Sequence, residues 1–258
     1  MMGDDTEKIW RKLRRKAGAA IAEYRMIEAD DRLLLGVSGG KDSMVLLKLL
    51  SGFVRRSPVK FSLAAAVFDP GYPGFRIDRV RKFAEEVCGV EFHVCGMDVG
   101  RILEERPGDR RSPCVICSRL RRGVLSGLAH RLNCNKLVLA QHLDDAAASL
   151  LIGLFRGQGL TTMGANVPAD SGRLRVIRPL ITTPESDIKA AAATLKMRFS
   201  GRCPYAGELK KSGDRAGFAR LIAKLEKSIP NVRENMLEAM RDVRPEFLLD
   251  RRFLNLDD

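Results

Sequence analysis

Ser38-Gly39-Gly40-Lys41-Asp42-Ser43 stands directly after the apolar run Leu33 to Val37, and a helical pattern starts at about Ser43. A glycine pair at such a turn lets backbone N–H groups swing toward an anion. The helix N-terminus adds a partial positive charge and Lys41 a full one. The expected chemistry is phosphate binding. The loop is not a Walker A motif, because Gly36 to Gly40 is one residue short and Asp42 stands where that motif has Ser or Thr. Nor is it the dinucleotide motif G-x-G-x-x-G. The competing reading is an ordinary strand-to-helix turn with a surface lysine.

Polar residues at the carboxyl ends of parallel strands face the crevice where such sheets bind ligands. Asp69 closes the second apolar run and Gln141-His142-Leu143-Asp144-Asp145 follows the fourth, so both positions fit a nucleotide pocket. The pair Asp144-Asp145 also suits plain helix capping, which the macrodipole favours.

Six cysteines, Cys88, Cys95, Cys114, Cys117, Cys134 and Cys203, come without a secretory signal, which favours reduced thiols or metal ligands over disulfides. Cys114-Val115-Ile116-Cys117 reads as a turn before a helix over 118–132, where two thiolates can share one metal and nearby arginines and the helix N-terminus lower their pKa. A redox dithiol would need a thioredoxin-like setting, which the phosphate loop argues against. Cys203, in the polar stretch Gly201-Arg202-Cys203-Pro204, is the best third ligand. Three cysteines leave one coordination position open, as on one iron of an iron–sulfur cluster; zinc held by three cysteines and a water is the alternative. Cys88, Cys95 and Cys134 lie in or beside regular elements and read as packed thiols.

The elements that must position these residues alternate. Strands are expected at 33–37, 62–68, 91–94, 136–140 and 176–181, with helices at 44–54, 77–87, 118–132 and 145–155 between them. Each crossover must bury an apolar stripe, which implies a doubly wound, mostly parallel α/β sheet covered on both faces. The glycine-rich stretch 153–172 reads as a mobile loop. Thr183-Pro184 reads as a hydroxyl N-cap and first-turn proline of a further helix, and one or two helices follow from about Asp214, broken near Pro230. An amphipathic helix over 6–28 precedes the first strand. The divisions expected are an N-terminal basic helix (1–30), a phosphate-loop domain carrying the CxxC insertion (31–200) and a C-terminal region with the third cysteine and helices (201–258).

The chain has 258 residues, against a prior of about 150 per domain. Its 45% hydrophobic and 30% charged composition excludes a wholly disordered or fibrous protein. No apolar stretch approaches the roughly 18 residues that span a bilayer, so the default is a cytoplasmic protein without a membrane role. Lysine and arginine (45) exceed aspartate and glutamate (32) by 13, which favours polyanionic partners, nucleic acid among them. Arg119, Arg121 and Arg122 follow the CxxC, Arg106, Arg110 and Arg111 precede it, and the N-terminal helix carries its own cluster. Such groups neutralise RNA phosphates; read blandly, they are solvated helix faces. The N-terminal helix could lie on an anionic membrane, but its modest apolar face suits packing on the core better.

Ser38 to Ser43 is identical to the SGGKDS signature of the PP-loop ATP pyrophosphatases, a superfamily this chain resembles. The resemblance implies attack of a substrate oxygen on the α-phosphate of ATP, forming an adenylate and releasing pyrophosphate. Ser38, Gly39, Gly40, Asp42 and Ser43 would hold the phosphates, Lys41 would neutralise developing charge, and Asp42 is the candidate to help hold magnesium (Mg2+). Cys114-x-x-Cys117-Ser118-Arg119-Leu120-Arg121-Arg122-Gly123, His142-x-Asp144-Asp145, Ile177-Arg178-Pro179-Leu180 and Cys203 then occur in the order seen in the tRNA 2-thiocytidine synthetases. That similarity runs from near Arg32 to beyond Pro230.

It implies a [4Fe-4S] cluster held by Cys114, Cys117 and Cys203, whose open iron carries the sulfur delivered to an anticodon-loop cytidine of tRNA. Catalytic roles would fall to Lys41, Asp42, Asp144 and Asp145, nucleotide contacts also to Asp69 and His142, and RNA contacts to Arg119, Arg121 and Arg122. A sulfur donor, either a cysteine desulfurase or free sulfide, is implied, and a homodimer is a possibility because relatives often form one. Two departures stand out. Gln141 replaces the first His of a Gly-His-His-x-Asp-Asp segment, and Ala206 stands where several relatives carry a further cysteine. Thiolation of another base such as uridine, an amide- or lysidine-forming ligase, and an ATP-binding RNA-binding protein with structural zinc are the readings left beside this one.

Overall fold

The computed structural model describes residues 2–71, 76–104, 113–169, 172–195 and 214–253. Helix α1 (Met2–Glu23) leads into β1 (Arg32–Val37), α2 (Lys41–Arg56), β2 (Ser62–Asp69), α3 (Ile77–Lys82) with a π-helical continuation Phe83–Cys88, and β3 (Glu91–Gly96). Then come α4 (Val99–Glu104), α5 (Pro113–Arg131), β4 (Lys136–Val138), α6 (Leu143–Phe155), β5 (Asn166–Pro168), β6 (Arg175–Ile177), α7 (Glu185–Thr194), α8 (Asp214–Leu225) and α9 (Val232–Ala239). The sheet order is β3-β2-β1-β4-β6-β5, parallel except for β5 against β6. This is the doubly wound α/β fold expected.

β1 is central, pairing Arg32 to Val37 with Ser62 to Val67 on one side and Leu33 to Leu35 with Lys136 to Val138 on the other. Its Leu-Leu-Leu-Gly-Val reading is apolar on both faces because helices cover both. Leu33, Leu35 and Val37 share a core with Leu13 and Ala17 of α1, Leu47 of α2 and Ile188 of α7. Leu34 turns the other way, onto Leu125, Leu128 and Ala129 of α5. Gly36 lets α5 approach the sheet: a Cβ there would stand 3.0 Å from Leu125 Cδ1.

Helix α1 packs on the core, as its apolar face suggested. Trp10 Nε1 donates to Thr194 Oγ1 at 2.9 Å, and Lys12 and Lys16 pair with Asp187 at 2.6 and 2.8 Å. It ends at Glu23 rather than near residue 28, because Arg25 turns left-handed (φ 46°) and Asn166 Nδ2 caps the carbonyls of Tyr24 and Arg25.

Three further expectations are corrected. Helix α5 starts at Pro113, a residue that fits a first helical turn because it needs no N–H partner there, so the CxxC lies on the first turn of the helix and not on a preceding turn. The expected loop 153–172 is ordered as far as residue 169, positions 170 and 171 lying outside the described residues: it folds back on α6, Gln158 N donating to Gly153 O and Thr162 Oγ1 to Ala146 O, and it then forms edge strand β5. Gly153 is required by that close return, since a Cβ would meet Gly159 O at 2.8 Å. Finally, Thr183 does not cap α7. The N-cap is Pro184, and the N–H of Glu185 is satisfied by Asp144 Oδ2 at 2.7 Å, a carboxylate from across the fold replacing the local hydroxyl.

The C-terminal helices α8 and α9 pack on α6 through Ala147, Ala148, Leu151, Ile222 and Val232. Among the described residues no helix is long and apolar enough to cross a membrane.

Candidate active site

Strand order reverses between β1 and β4, and the carboxyl ends of those strands open the crevice where a doubly wound sheet binds ligands. A cavity of about 520 Å³ lies there. Ser38, Gly40, Asp42 and Ser43 of the glycine turn line it, facing Cys117, Arg121 and Arg122 of α5; Phe68 and Pro70 flank Asp69, and Gln141, Asp145, Arg178 and Arg215 complete the wall.

The turn is built to keep its shape. Ser43 Oγ, one turn into α2, donates to Gly40 O at 3.0 Å and accepts the Ser38 N–H at 3.2 Å, while Ser38 Oγ accepts the Gly40 N–H at 3.3 Å. Gly39 has φ 75°, where a side chain would be strained. Lys41 leans away from the cavity onto carboxylates, its Nζ 2.9 Å from Asp42 Oδ1 and 2.7 Å from Glu185 Oε1. Burial pulls the ammonium down, but hydrogen bonds to Glu185 and Asp42 outweigh it and hold Lys41 above its ordinary value.

Behind the cavity wall His142 is buried among carboxylates: Nδ1 lies 3.6 Å from Asp144, and Nε2 3.5 Å from Asp145 and 3.9 Å from Asp42. Burial alone would lower the imidazole, but those carboxylates raise it. Asp145 accepts the His142 N–H at 3.3 Å, so the capping role is real at Asp145, which also lines the cavity. Asp144 ties three elements together, through the Glu185 N–H, His142 and Arg233 Nε at 2.9 Å. Burial pushes this carboxyl up, but the His142 side chain, the Glu185 N–H and Arg233 bring it from 3.8 to about 2.

A depressed carboxylate contributes stability above its unfolded pKa that is lost as pH falls through the folded one. The 3.8-to-2 interval corresponds to about 2 kcal/mol. Urea titrations stepped from pH 5 to pH 2 should therefore show a steep loss in the wild type. Asp144→Asn should be about 2 kcal/mol less stable at pH 7 and flatter below pH 4.

Asp42, His142 and Glu185 offer one ligand atom each within 4.8 Å of one another, so they could hold a cation, although Lys41 Nζ now sits between the two carboxylates. A mixed oxygen and imidazole set is less typical of magnesium than an all-oxygen one, which makes Asp42, on the cavity wall, the better single candidate.

The Cys117 thiol is buried against Phe68, Val99, Leu120 and Val124, with Arg121 Nη2 at 3.8 Å. Cys203 and the Cys114 side chain lie outside the described residues, as do Arg106, Arg110 and Arg111. Burial pushes the Cys88, Cys95 and Cys134 thiols up, away from the thiolate a metal requires.

Of the arginines expected to meet RNA, Arg121 and Arg122 line the cavity, whereas Arg119 is exposed outside it. Asp69 does not line it either: its carboxylate accepts the Gly71 N–H at 2.9 Å, an Asx turn at the strand end. Residues to which the sequence analysis gave no site role are Arg178, quoted only within the segment Ile177 to Leu180, together with Arg215 and Glu185. Arg178 stands just past the carboxyl end of β6, which stops at Ile177; the strand expected over 176–181 had placed it inside the run, where the strand-end rule does not apply. Glu185 looked like any first-turn acid.

A glycine-turn anion cradle at the switch point of a doubly wound parallel sheet defines a PP-loop protein, and the PP-loop domain family matches residues 11–201. The chain is 39% identical to the tRNA-cytidine(32) 2-sulfurtransferase of Geotalea uraniireducens, over 95% of this chain and 97% of that one. It is 40% identical to the protein of the same name from Pelobacter propionicus, over 96% and 91%. The chain belongs to the tRNA-cytidine(32) 2-sulfurtransferase family. In fold it is similar to the U34-tRNA thiolase NcsA from Methanococcus maripaludis, solved with its [4Fe-4S] cluster, at a TM-score of 0.75 and 24% identity, covering 92% of this chain and 78% of that one.

Proposed function

We propose that the protein thiolates tRNA, using ATP to activate the C2 oxygen of an anticodon-loop cytidine and replacing that oxygen with sulfur. The observation that carries this reading is that Cys117 and the glycine turn Ser38 to Ser43 open on one cavity. Family membership supports the same assignment. The N–H groups of the turn and the Ser38 and Ser43 hydroxyls hold the phosphates, with Lys41 swinging from Glu185 to neutralise them and Asp42 helping to hold magnesium. The cytosine O2 attacks the α-phosphorus, the bridging P–O bond to the β-phosphate breaks, and pyrophosphate leaves. Sulfur at the sulfide level then bonds to C2 with its own electron pair and the C–O bond breaks, so AMP leaves with the former O2 and no oxidation state changes.

Cys114, Cys117 and Cys203 would be the ligand set for a [4Fe-4S] cluster, with the Cys117 thiol on the cavity wall; when bound, such a cluster would supply an iron position without a cysteine ligand, available to a sulfide. Arg121 and Arg122, with Arg119 farther out, meet the RNA backbone, whose target base is splayed into the cavity. Asp144 orients His142 and the start of α7, while Asp145 presents its carboxylate to the reacting groups. The sulfur donor is a cysteine desulfurase, its sulfur reduced to sulfide, or free sulfide; the site of work is the cytoplasm, and 1–30, 31–200 and 201–258 act as helix, ATP-binding domain and C-terminal region.

Anaerobic purification should give a brown protein with about four irons per chain, and pyrophosphate release should require tRNA. Mass spectrometry of tRNA nucleosides from cells lacking the protein should show 2-thiocytidine gone. A colourless zinc protein whose ATP turnover ignores RNA would overturn the reading.

A further inference from the structure

Gln141 marks the departure from the usual two-histidine segment, and the structure gives its side chain one fixed orientation. Arg178 Nε donates to Gln141 Oε1. A guanidinium can only donate, so the atom facing it must be the amide oxygen, and the usual ambiguity of a glutamine flip is removed. Arg178 is itself held in place. Its Nη1 donates to Gly164 O at 2.6 Å and its backbone N–H to Ala165 O at 2.9 Å, anchoring it to the segment that folds back from α6. Both side chains line the cavity shared with Ser38 and Gly40. With the oxygen turned to Arg178, the end of the Gln141 amide directed away from that contact is its NH2 group, a donor with no acceptor character.

We infer that Gln141, locked by Arg178, reads the target base and selects cytosine over uracil at N3. The inference rests on the thiolation reading above, which places the pyrimidine O2 at the phosphate cradle. O2 and N3 are both attached to C2, so a base whose O2 lies at the cradle presents N3 within the same cavity, whose wall carries the Gln141 amide. Cytosine presents a lone pair at N3 and accepts that hydrogen bond. Uracil presents an N–H, and two donors facing each other leave polar hydrogens unpaired in an enclosed site, the mismatch that such sites reject most strongly. Arg178 is then a positioning residue, acting through the amide it orients.

The test uses cluster-loaded enzyme and anticodon stem-loop RNAs carrying cytidine, 3-deazacytidine or uridine at the reacting position, read out as RNA-dependent pyrophosphate release and as sulfur incorporation. Wild type should lose about tenfold to a hundredfold in kcat/KM when 3-deazacytidine removes the N3 acceptor. Gln141→Ala should show that loss already on cytidine and no further loss on the deaza base. Gln141→Glu keeps a partner for Arg178 but offers only acceptors, and should shift preference from cytidine toward uridine; it carries the comparison if the alanine variant fails to fold. A Gln141→Ala enzyme as sensitive to the deaza substitution as wild type overturns the inference. So does one whose KM for ATP rises while base preference is unchanged, since the amide would then serve the nucleotide. Wild type that releases no pyrophosphate with any cytidine RNA sinks the thiolation reading itself, a result distinct from either.

Discussion

Cys117→Ser is expected to cut tRNA thiolation by about a thousandfold or more, equivalent to about 4 kcal/mol of barrier, while RNA-dependent pyrophosphate release persists. In the function proposed above, the two halves of the reaction use different walls of one cavity: the phosphates would sit on Ser38 to Ser43, and Cys117 faces that turn from α5. Removing the thiol should therefore uncouple sulfur delivery from activation instead of destroying both. Serine nearly matches the volume of the buried thiol among Phe68, Val99, Leu120 and Val124, and its hydroxyl can still meet Arg121, so the fold should survive. The variant should also lose the brown colour and most of its iron. Cys134→Ser is the matched control: that thiol is equally buried, but between Leu128, Leu137 and Leu174 on the covered face of the sheet, and its removal should leave colour and turnover intact. If both serine variants behave alike, Cys117 has no special place in sulfur delivery.

The contrast between those two thiols was partly legible in the sequence, and the reason is physical. Spacing carries local information: two cysteines three apart, a glycine pair before a helix and alternating apolar runs each report on a few consecutive residues, and the parallel sheet, the anion cradle and the packing of α1 follow from them. What the sequence hid is set by partners far along the chain. Thr183 has the residue type of a helix cap, yet Pro184 is the N-cap of α7 and the Glu185 N–H is satisfied by Asp144, a carboxylate brought in from α6. β5 was invisible because three residues ending in Pro168 carry no periodicity, and only pairing with β6 makes them a strand. Asp69 satisfied the strand-end rule but spends its carboxylate on the Gly71 N–H. Glu185 looked like a generic first-turn acid until the fold placed its oxygen 2.7 Å from Lys41.

That last contact sets the terms for the second large effect, expected from Lys41→Met. Burial alone would weaken the ammonium, but Glu185 and Asp42 keep it charged through and beyond neutral pH, so the enzyme holds a full positive charge at the edge of the phosphate cradle whether or not ATP is present. Methionine preserves the length of the chain and removes that charge. An incoming triphosphate would then meet Asp42 and Asp145 on the cavity wall, with Glu185 behind, and would have the glycine-turn N–H groups and the wall arginines Arg121, Arg122, Arg178 and Arg215 to offset them, but no ammonium beside the turn itself. The loss falls on the step in which negative charge moves onto the leaving pyrophosphate, so kcat as well as KM for ATP should suffer. The expected fall in kcat/KM for pyrophosphate release is about a thousandfold, or about 4 kcal/mol. Lys41→Arg should recover little of it, because a planar fork cannot replace a compact ammonium in the same gap. Glu185→Gln separates charge from tether: Lys41 keeps Asp42 as a partner but is freer to reach phosphate, so KM for ATP should change only a few-fold, and downward. Urea unfolding of all three variants should stay close to wild type, because these ion pairs are partly exposed and contribute little to folding. A methionine variant that releases pyrophosphate within tenfold of wild type would show that Lys41 stands outside the path of the transferred phosphoryl group.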